Sequence, residues 1–171
     1  MVGSGAGEKN IVVLGVGNLL MGDEGVGVRA VEELIRRYEI PPDVKVIDGG
    51  TIGIELLPYF DDCTHLLIVD AMSGQGEPGE TTRIAIENPP SFFRNRVSPH
   101  QIGLADVLAL AAMNDDLPGS VTLFGIIPQQ MDTGLTLSEP VTAGMEQLLV
   151  MLAEELAELG ATLVERVLAP A

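Results

Sequence analysis

The sequence IVVLGVGNLLMGDEGVG, residues 11–27, decides how the rest of the chain is interpreted. It opens with β-branched and aliphatic residues at positions 11–14, which are typical of a buried strand. Glycines then relax the backbone, and two adjacent acids, Asp23 and Glu24, precede a pattern with helical period. A strand, a glycine-containing turn and a helix start form the first half of a βαβ unit. Because ligands of open α/β sheets bind beyond the carboxyl ends of the strands, acids in this loop are candidates for a functional site.

Strand and helix patterns alternate along the rest of the chain. The apolar run HLLIV, residues 65–69, shows no polar alternation and ends at Asp70, which predicts a central parallel strand buried on both faces. Residues 81–86 alternate and predict an edge strand, whereas the proline-containing residues 87–99 predict an irregular loop. Further strands are predicted at residues 44–47 and 121–127, and further helices at 27–38, 102–113 and 140–159. This order predicts an α/β fold, a three-layer sandwich with a mostly parallel sheet and helices on both faces.

Composition limits the class of protein. The 171 residues are 46% hydrophobic, which suits one globular domain at residues 10–160, with tails at 1–9 and 161–171. The net charge of −16 disfavours nucleic acid as a partner, since such a field repels phosphate. No apolar run reaches the roughly 18 residues of a membrane span, and the polar start lacks the apolar segment of a secretory signal. The single cysteine fits a reducing compartment, so we expect a cytoplasmic protein with no membrane partner.

Three potential metal ligands fall at strand ends or in the loops beyond them. Glu24 follows the first strand, Asp70 follows the central strand, and His100 precedes a helix. Two carboxylates and an imidazole can bind a divalent metal such as nickel, zinc, copper or iron, and three protein ligands leave coordination positions open for chemistry. The alternative is structural, with Glu24 opposite a helix dipole, Asp70 in a strand-end turn and His100 as a helix cap.

A nucleotide site is the second interpretation of the opening loop. Gly15 and Gly17 resemble the start of a dinucleotide-binding fingerprint, and Asp48 resembles its ribose-binding acid. However, the third glycine of the fingerprint is absent. The adjacent acids would also repel a pyrophosphate at the helix N-terminus, which disfavours this interpretation.

Signatures of self-contained proteases are incomplete. The tripeptide Asp132-Thr133-Gly134 matches that of aspartic proteases, but it occurs once and follows no apolar strand, so it predicts a loop. Cys63 lacks a general base placed by the sequence, and His65 opens a buried strand as a core residue would. No HExxH or GxSxG sequence occurs.

Four segments in register resemble the [NiFe]-hydrogenase maturation endopeptidases. They are GVGNLLMGDEGVGVR (15–29), IDGGT (47–51), LIVDA (67–71) and SPHQIGLADVL (98–108). The resemblance extends over nearly the whole chain, from residue 10 to about residue 160. It implies a five-stranded sheet between helices and an enzyme that removes a short C-terminal extension from the hydrogenase large subunit after nickel insertion.

The resemblance also assigns residues. The family's metal-contacting Glu, Asp and His fall on Glu24, Asp70 and His100. Its D-G/C-G-T sequence, linked to substrate recognition, falls on Asp48, Gly49, Gly50 and Thr51.

The resemblance implies that nickel arrives with the substrate, where the nickel of the large-subunit precursor serves as the recognition signal. A carboxylate pair with one imidazole should also accept Cd²⁺ or another divalent ion as a surrogate. We expect a monomer whose partner is the large-subunit precursor. Two competing hypotheses remain: a nickel-binding chaperone without peptidase activity, and a nucleotide-binding α/β enzyme.

Overall fold

The computed structural model describes residues 7–50, 53–95 and 99–167, and the side chains of residues 99–102 lie outside that description. Seven strands occur in this part of the chain: β1 (Ile11–Val16), β2 (Tyr38–Glu39), β3 (Val44–Gly50), β4 (His65–Ala71), β5 (Thr81–Ile86), β6 (Ser120–Ile126) and β7 (Val164–Glu165). The α-helices are α1 (Val26–Arg37), α2 (Pro89–Arg94), α3 (Pro99–Met113) and α4 (Glu139–Glu158). Two 3₁₀ turns cover Gly22–Gly25 and Ile54–Phe60.

Five strands form the central sheet in the order β3-β1-β4-β6-β5. The pairs β1–β3, β1–β4 and β4–β6 are parallel, and β5 runs antiparallel to β6 at one edge. The predicted mostly parallel α/β sheet is therefore confirmed. The apolar strand β4 lies in the centre and β5 at the edge, as their patterns predict.

Hydrophobic residues cover both faces of the sheet. Alternate residues of β4, such as Leu67 and Val69, pack with α1 and α4, while Leu66 and Ile68 pack with α3 and the Ile54–Phe60 turn. All four of these side chains are at most 1% exposed. Burial on both faces explains why β4 is an unbroken apolar run, and it produces the predicted three layers.

The segment predicted as an irregular loop at residues 87–99 contains a helix, so that prediction is wrong. Asn88 caps α2 by accepting a hydrogen bond from Ser91 N on Oδ1 at 3.1 Å. Pro89 then occupies the first helical position, where the missing N–H costs nothing. Phe93 is fully buried and makes an edge-to-face contact with Phe92, which fixes the short helix on the core.

Several element ends also differ from the predicted ones. The first helix ends at Arg37, and the next two residues form β2, which pairs antiparallel with β7 after the last helix. Residues 161–167, which were expected as part of a tail, contain this strand and the buried Ala161. Strand β4 continues through Asp70 to Ala71, so Asp70 lies inside the strand. Among the helices within residues 7–50, 53–95 and 99–167, none is both long enough and apolar enough to cross a bilayer.

Candidate functional site

The predicted acids lie at one edge of the sheet because four strands run in the same direction. Asp48 of β3 is in register with Gly15 of β1, which is in turn in register with Val69 of β4. Asp70 follows directly, and Glu24 lies in the 3₁₀ turn that follows β1. The carboxyl edge of the parallel strands therefore carries Glu24, Asp48 and Asp70.

Close packing of α1 against the sheet sets the position of Glu24. A Cβ at Gly27 would overlap the carbonyl oxygens of Val69 and Val16, so the first turn of α1 lies directly on β1 and β4. Gly17 adopts a φ of +137°, and a Cβ there would overlap the Glu24 carbonyl oxygen. These glycines place the backbone of Glu24 beside the end of the strand that carries Asp70.

The same packing bears on the nucleotide hypothesis. A Cβ at Gly15 would overlap the Gly27 carbonyl oxygen. Gly15 and Gly17 are therefore needed for helix packing and for the turn, whether or not a phosphate binds. The glycine pattern gives no independent support for a nucleotide.

Burial differs among the three acids. Asp70 is fully buried, Glu24 is half-buried and Asp48 is exposed. The Asp48 side chain accepts a hydrogen bond from Gly50 N on Oδ1 at 2.8 Å, which closes a turn at the end of β3 where Gly50 has a φ of +48°. Gly50 O in turn accepts from Gly17 N at 2.9 Å, so the turn at Asp48 is joined to the loop after β1.

His100 lies in the first turn of α3, because this helix begins at Pro99 and not at residue 102 as predicted. The His100 side chain and the whole of Thr51 lie outside the described residues, as does Ser98 of the fourth resemblance segment. Within the side chains that are described, no group of three His, Cys, Asp or Glu residues could hold a metal ion. The ligand set Glu24, Asp70 and His100 therefore stays a prediction.

Asp23 has a role that the sequence interpretation missed. Its side chain is 0% exposed and accepts four hydrogen bonds. Oδ2 accepts from Gln129 N at 2.9 Å, from Gln130 N at 2.8 Å and from Ser138 Oγ at 2.8 Å, while Oδ1 accepts from Ser138 N at 2.8 Å. Burial by itself raises the pKa of Asp23, but these hydrogen bonds outweigh it and hold the pKa below its ordinary value.

Backbone hydrogen bonds join the same two segments. We call residues 127–138 the docked loop. Gly22 N donates to Gly134 O of this loop at 2.8 Å, and Asp23 N donates to Gln130 O at 2.8 Å. Gly134 N donates to Leu20 O at 2.9 Å. The turn that carries Glu24 is therefore fixed by a loop more than 100 residues away in sequence. Asp132 is exposed and lies in this loop, which agrees with the loop predicted for the Asp132-Thr133-Gly134 tripeptide.

Cys63 and His65 lie at the opposite edge of the sheet. His65 begins β4, so about 20 Å of extended chain separates Cys63 from Asp70. Cys63 is 5% exposed and its Sγ donates to His65 O at 3.3 Å. Burial raises the pKa of the thiol to about 11, so the nucleophilic thiolate is scarce at neutral pH. His65 is half-buried and places Nδ1 3.0 Å from Thr64 Oγ1, so it is less buried than a core residue.

Comparisons with known proteins point to one family. A family model described as HycI, hydrogenase maturation protease, matches residues 28–155. The chain is 41% identical over 157 residues to Hydrogenase 2 maturation protease of Escherichia coli strain K12, covering 91% of this chain and 96% of that protein. It is 42% identical over 153 residues to hydrogenase expression/formation protein HoxM of Azotobacter vinelandii, covering 88% and 74% respectively.

Solved structures agree with these sequence relatives. The hydrogenase maturating endopeptidase HybD from E. coli superposes with a TM-score of 0.87 at 41% identity, covering 92% of this chain and 98% of that one. The [NiFe] hydrogenase maturation protease HybD from Thermococcus kodakarensis superposes with a TM-score of 0.70 at 29% identity, covering 86% and 99% respectively.

Proposed function

Because the chain belongs to the hydrogenase maturation proteases, which are endopeptidases, we propose that it removes the C-terminal extension of a [NiFe]-hydrogenase large-subunit precursor after nickel insertion. The observation that carries this proposal is the placement of Glu24 and Asp70 at one edge of the sheet, where glycine-dependent packing sets the first turn of α1 directly on β1 and β4. Cleavage occurs in the cytoplasm, in keeping with a chain whose single cysteine is a buried free thiol.

In this proposal nickel is part of the substrate and is recognised by Glu24, Asp70 and His100. Carboxylates favour a divalent cation electrostatically, and a neutral imidazole suits nickel. Three ligands from the enzyme leave positions for the ligands that nickel brings from the precursor. An apo-precursor lacks the cation that these side chains would contact, so it should not be held in place for cleavage.

The turn that begins at Asp48 is the proposed contact for the peptide chain around the scissile bond. Asp48 is exposed, and its turn is joined to the loop after β1 through the bond from Gly17 N to Gly50 O. A peptide held there lies on the same edge of the sheet as Glu24 and Asp70. This proximity supports a recognition role for residues 48–50.

The test is to mix the enzyme with a nickel-loaded or an apo large-subunit precursor and to follow the precursor by mass spectrometry. We expect loss of the C-terminal extension from the nickel-loaded form alone. Glu24→Gln and Asp70→Asn keep the shape of each side chain but remove its charge, so each should abolish or greatly slow cleavage. Because Asp70 is buried, circular dichroism and urea unfolding must first show that its variant is folded.

Asp132→Asn and Cys63→Ala are the matched controls and should retain cleavage. Asp132 is an exposed loop carboxylate, and Cys63 lies at the far edge of the sheet. Efficient cutting of the apo-precursor, or loss of cutting in Asp132→Asn but not in Glu24→Gln, would refute the nickel-recognition proposal. A precursor that binds the enzyme but stays uncut would favour the chaperone hypothesis.

A further inference from the structure

Three large apolar side chains are exposed on the segments that fix the Glu24 turn. Leu20 is 59% exposed, Leu135 is 63% exposed and Met131 is 38% exposed. Leu20 lies between β1 and the Gly22–Gly25 turn, and the other two belong to the docked loop. Exposed apolar side chains that occur together at one place on a folded protein mark an interaction surface more often than scattered single ones do.

Backbone hydrogen bonds place the three residues on adjoining segments. Leu20 O accepts from Gly134 N at 2.9 Å, and Leu135 follows Gly134 directly. Met131 follows Gln130, whose carbonyl oxygen accepts from Asp23 N at 2.8 Å. Each of the three apolar residues is thus at, or next to, a hydrogen bond between the docked loop and the loop that carries Glu24.

The surface is already ordered before any partner binds. The carboxylate of Asp23 holds both ends of the docked loop, at Gln129 and Gln130 and again at Ser138. Arg29 donates from Nη2 to Leu135 O at 3.1 Å and so fixes the position of that residue from α1. A partner that covers these side chains therefore does not have to order the loop first, which lowers the entropic cost of binding.

We propose that Leu20, Met131 and Leu135 form a docking surface for the folded large-subunit precursor. The inference rests on the proposed function and adds where the protein substrate, as distinct from its nickel, is held. The surface is continuous with the Glu24 turn through the hydrogen bonds above, so a protein whose nickel reaches Glu24 is brought against it. On a chain of net charge −16, an apolar surface of this kind attracts a partner through buried area and not through charge.

The experiment measures kcat and KM for cleavage of the nickel-loaded precursor by single variants of the surface. Leu20→Ser and Leu135→Ser should each raise KM about tenfold. Each substitution removes most of the apolar area that the leucine would bury against the precursor. The kcat should stay at the wild-type value, since neither side chain is placed at the reacting bond. Met131→Ser should have a smaller effect, because Met131 is less exposed in the free enzyme.

Matched controls come from exposed apolar residues elsewhere. Met113 is 81% exposed at the end of α3, about 20 Å along that helix from His100, and Val150 is 48% exposed on α4. Met113→Ser and Val150→Ser should leave KM unchanged. Leu135→Met keeps an apolar side chain of similar size, so its KM should lie much closer to the wild-type value than that of Leu135→Ser.

The outcomes separate this inference from the function on which it rests. If the wild-type enzyme does not shorten the nickel-loaded precursor, the proposed function is wrong. If the wild type cuts but Leu20→Ser and Leu135→Ser keep the wild-type KM, the docking surface is wrong and the function stands. A fall in kcat at unchanged KM would also overturn the docking surface, because the substitutions would then act on the Glu24 turn.

Discussion

Asp23→Asn tests how strongly the docked loop is fixed to the turn that carries Glu24. An asparagine has nearly the same shape, but it lacks the charge and replaces one acceptor oxygen with an NH₂ donor. In the best orientation the amide oxygen takes the place of Oδ2 and keeps three bonds, while the NH₂ group takes the place of Oδ1 and faces Ser138 N. Two donors then face each other in a fully buried site.

The cost follows from these contacts. An unsatisfied buried donor costs about 1–3 kcal/mol, and the three remaining bonds lose the strength that comes from a charged acceptor. These contributions come from one shared site, so they do not simply add. We therefore expect a total loss of about 3 kcal/mol in the free energy of unfolding. With an m-value of about 2 kcal/mol/M, the urea midpoint at pH 7 should fall by about 1.5 M.

The effect should depend on pH in one direction. The pKa of Asp23 is lower in the folded protein than in the unfolded chain, so its ionised form stabilises the fold above about pH 4. That stabilisation is lost as the pH falls through the lowered folded-state pKa. The difference in stability between wild type and Asp23→Asn should therefore be full at pH 7 and shrink at pH values below about 4.

Amide hydrogen exchange locates the effect. In Asp23→Asn, exchange at Gln129, Gln130 and Ser138 should accelerate more than exchange in β4, because those three amides donate to the carboxylate. Glu24→Gln is the matched control, since it removes one charge from the same turn at a half-buried position. It should change stability by no more than about 0.5 kcal/mol. Equal urea midpoints for wild type and Asp23→Asn, or a larger loss in Glu24→Gln, would refute this reasoning.

Three further predictions concern the histidines, the thiol and the packing of α1. Binding of Ni²⁺ or Cd²⁺ should weaken as the pH falls through about 6.5, since a ligand imidazole must be neutral. Calorimetry should show that His100→Ala abolishes this pH dependence of binding and that His65→Ala retains it. The reverse result would mean that His65, and not His100, is the metal ligand. Cys63 should react slowly with a maleimide at pH 7 because burial raises its thiol pKa to about 11, and rapid labelling would contradict the buried position. Gly27→Ala should lower the free energy of unfolding by about 1–3 kcal/mol or more in urea, because its Cβ overlaps the Val69 carbonyl oxygen; an unchanged midpoint would contradict the close packing.

The central fold could be predicted because its signals are local. The apolar run of β4 and the alternation in β5 each identify a strand and its place in the sheet. The strand β2 could not be predicted, since two residues carry no periodicity and its partner β7 lies more than 120 residues away. The short helix α2 was missed because its two prolines suggest a loop, although Asn88 followed by proline is also a helix start signal.

The candidate site could be predicted only in part. Glu24 and Asp70 follow from the rule that ligands bind at the carboxyl ends of parallel strands, and the structure places both residues there. The docked loop could not be assigned to the site, because no local sequence pattern indicates that it binds the carboxylate of Asp23, which lies more than 100 residues away. Which of the two adjacent acids would be buried depends on that distant loop.

Asp23 and Glu24 are adjacent acids, but the fold places their side chains in different environments. In a 3₁₀ turn, successive residues point about 120° apart, so one side chain can face the interior while the next faces the solvent. Asp23 faces the docked loop, and its negative charge is balanced by four donors. Glu24 is half-buried at the same edge of the sheet as Asp70. The buried acid therefore fixes the turn, and a rigid turn holds the second acid in place, as the proposed role of Glu24 in nickel recognition requires.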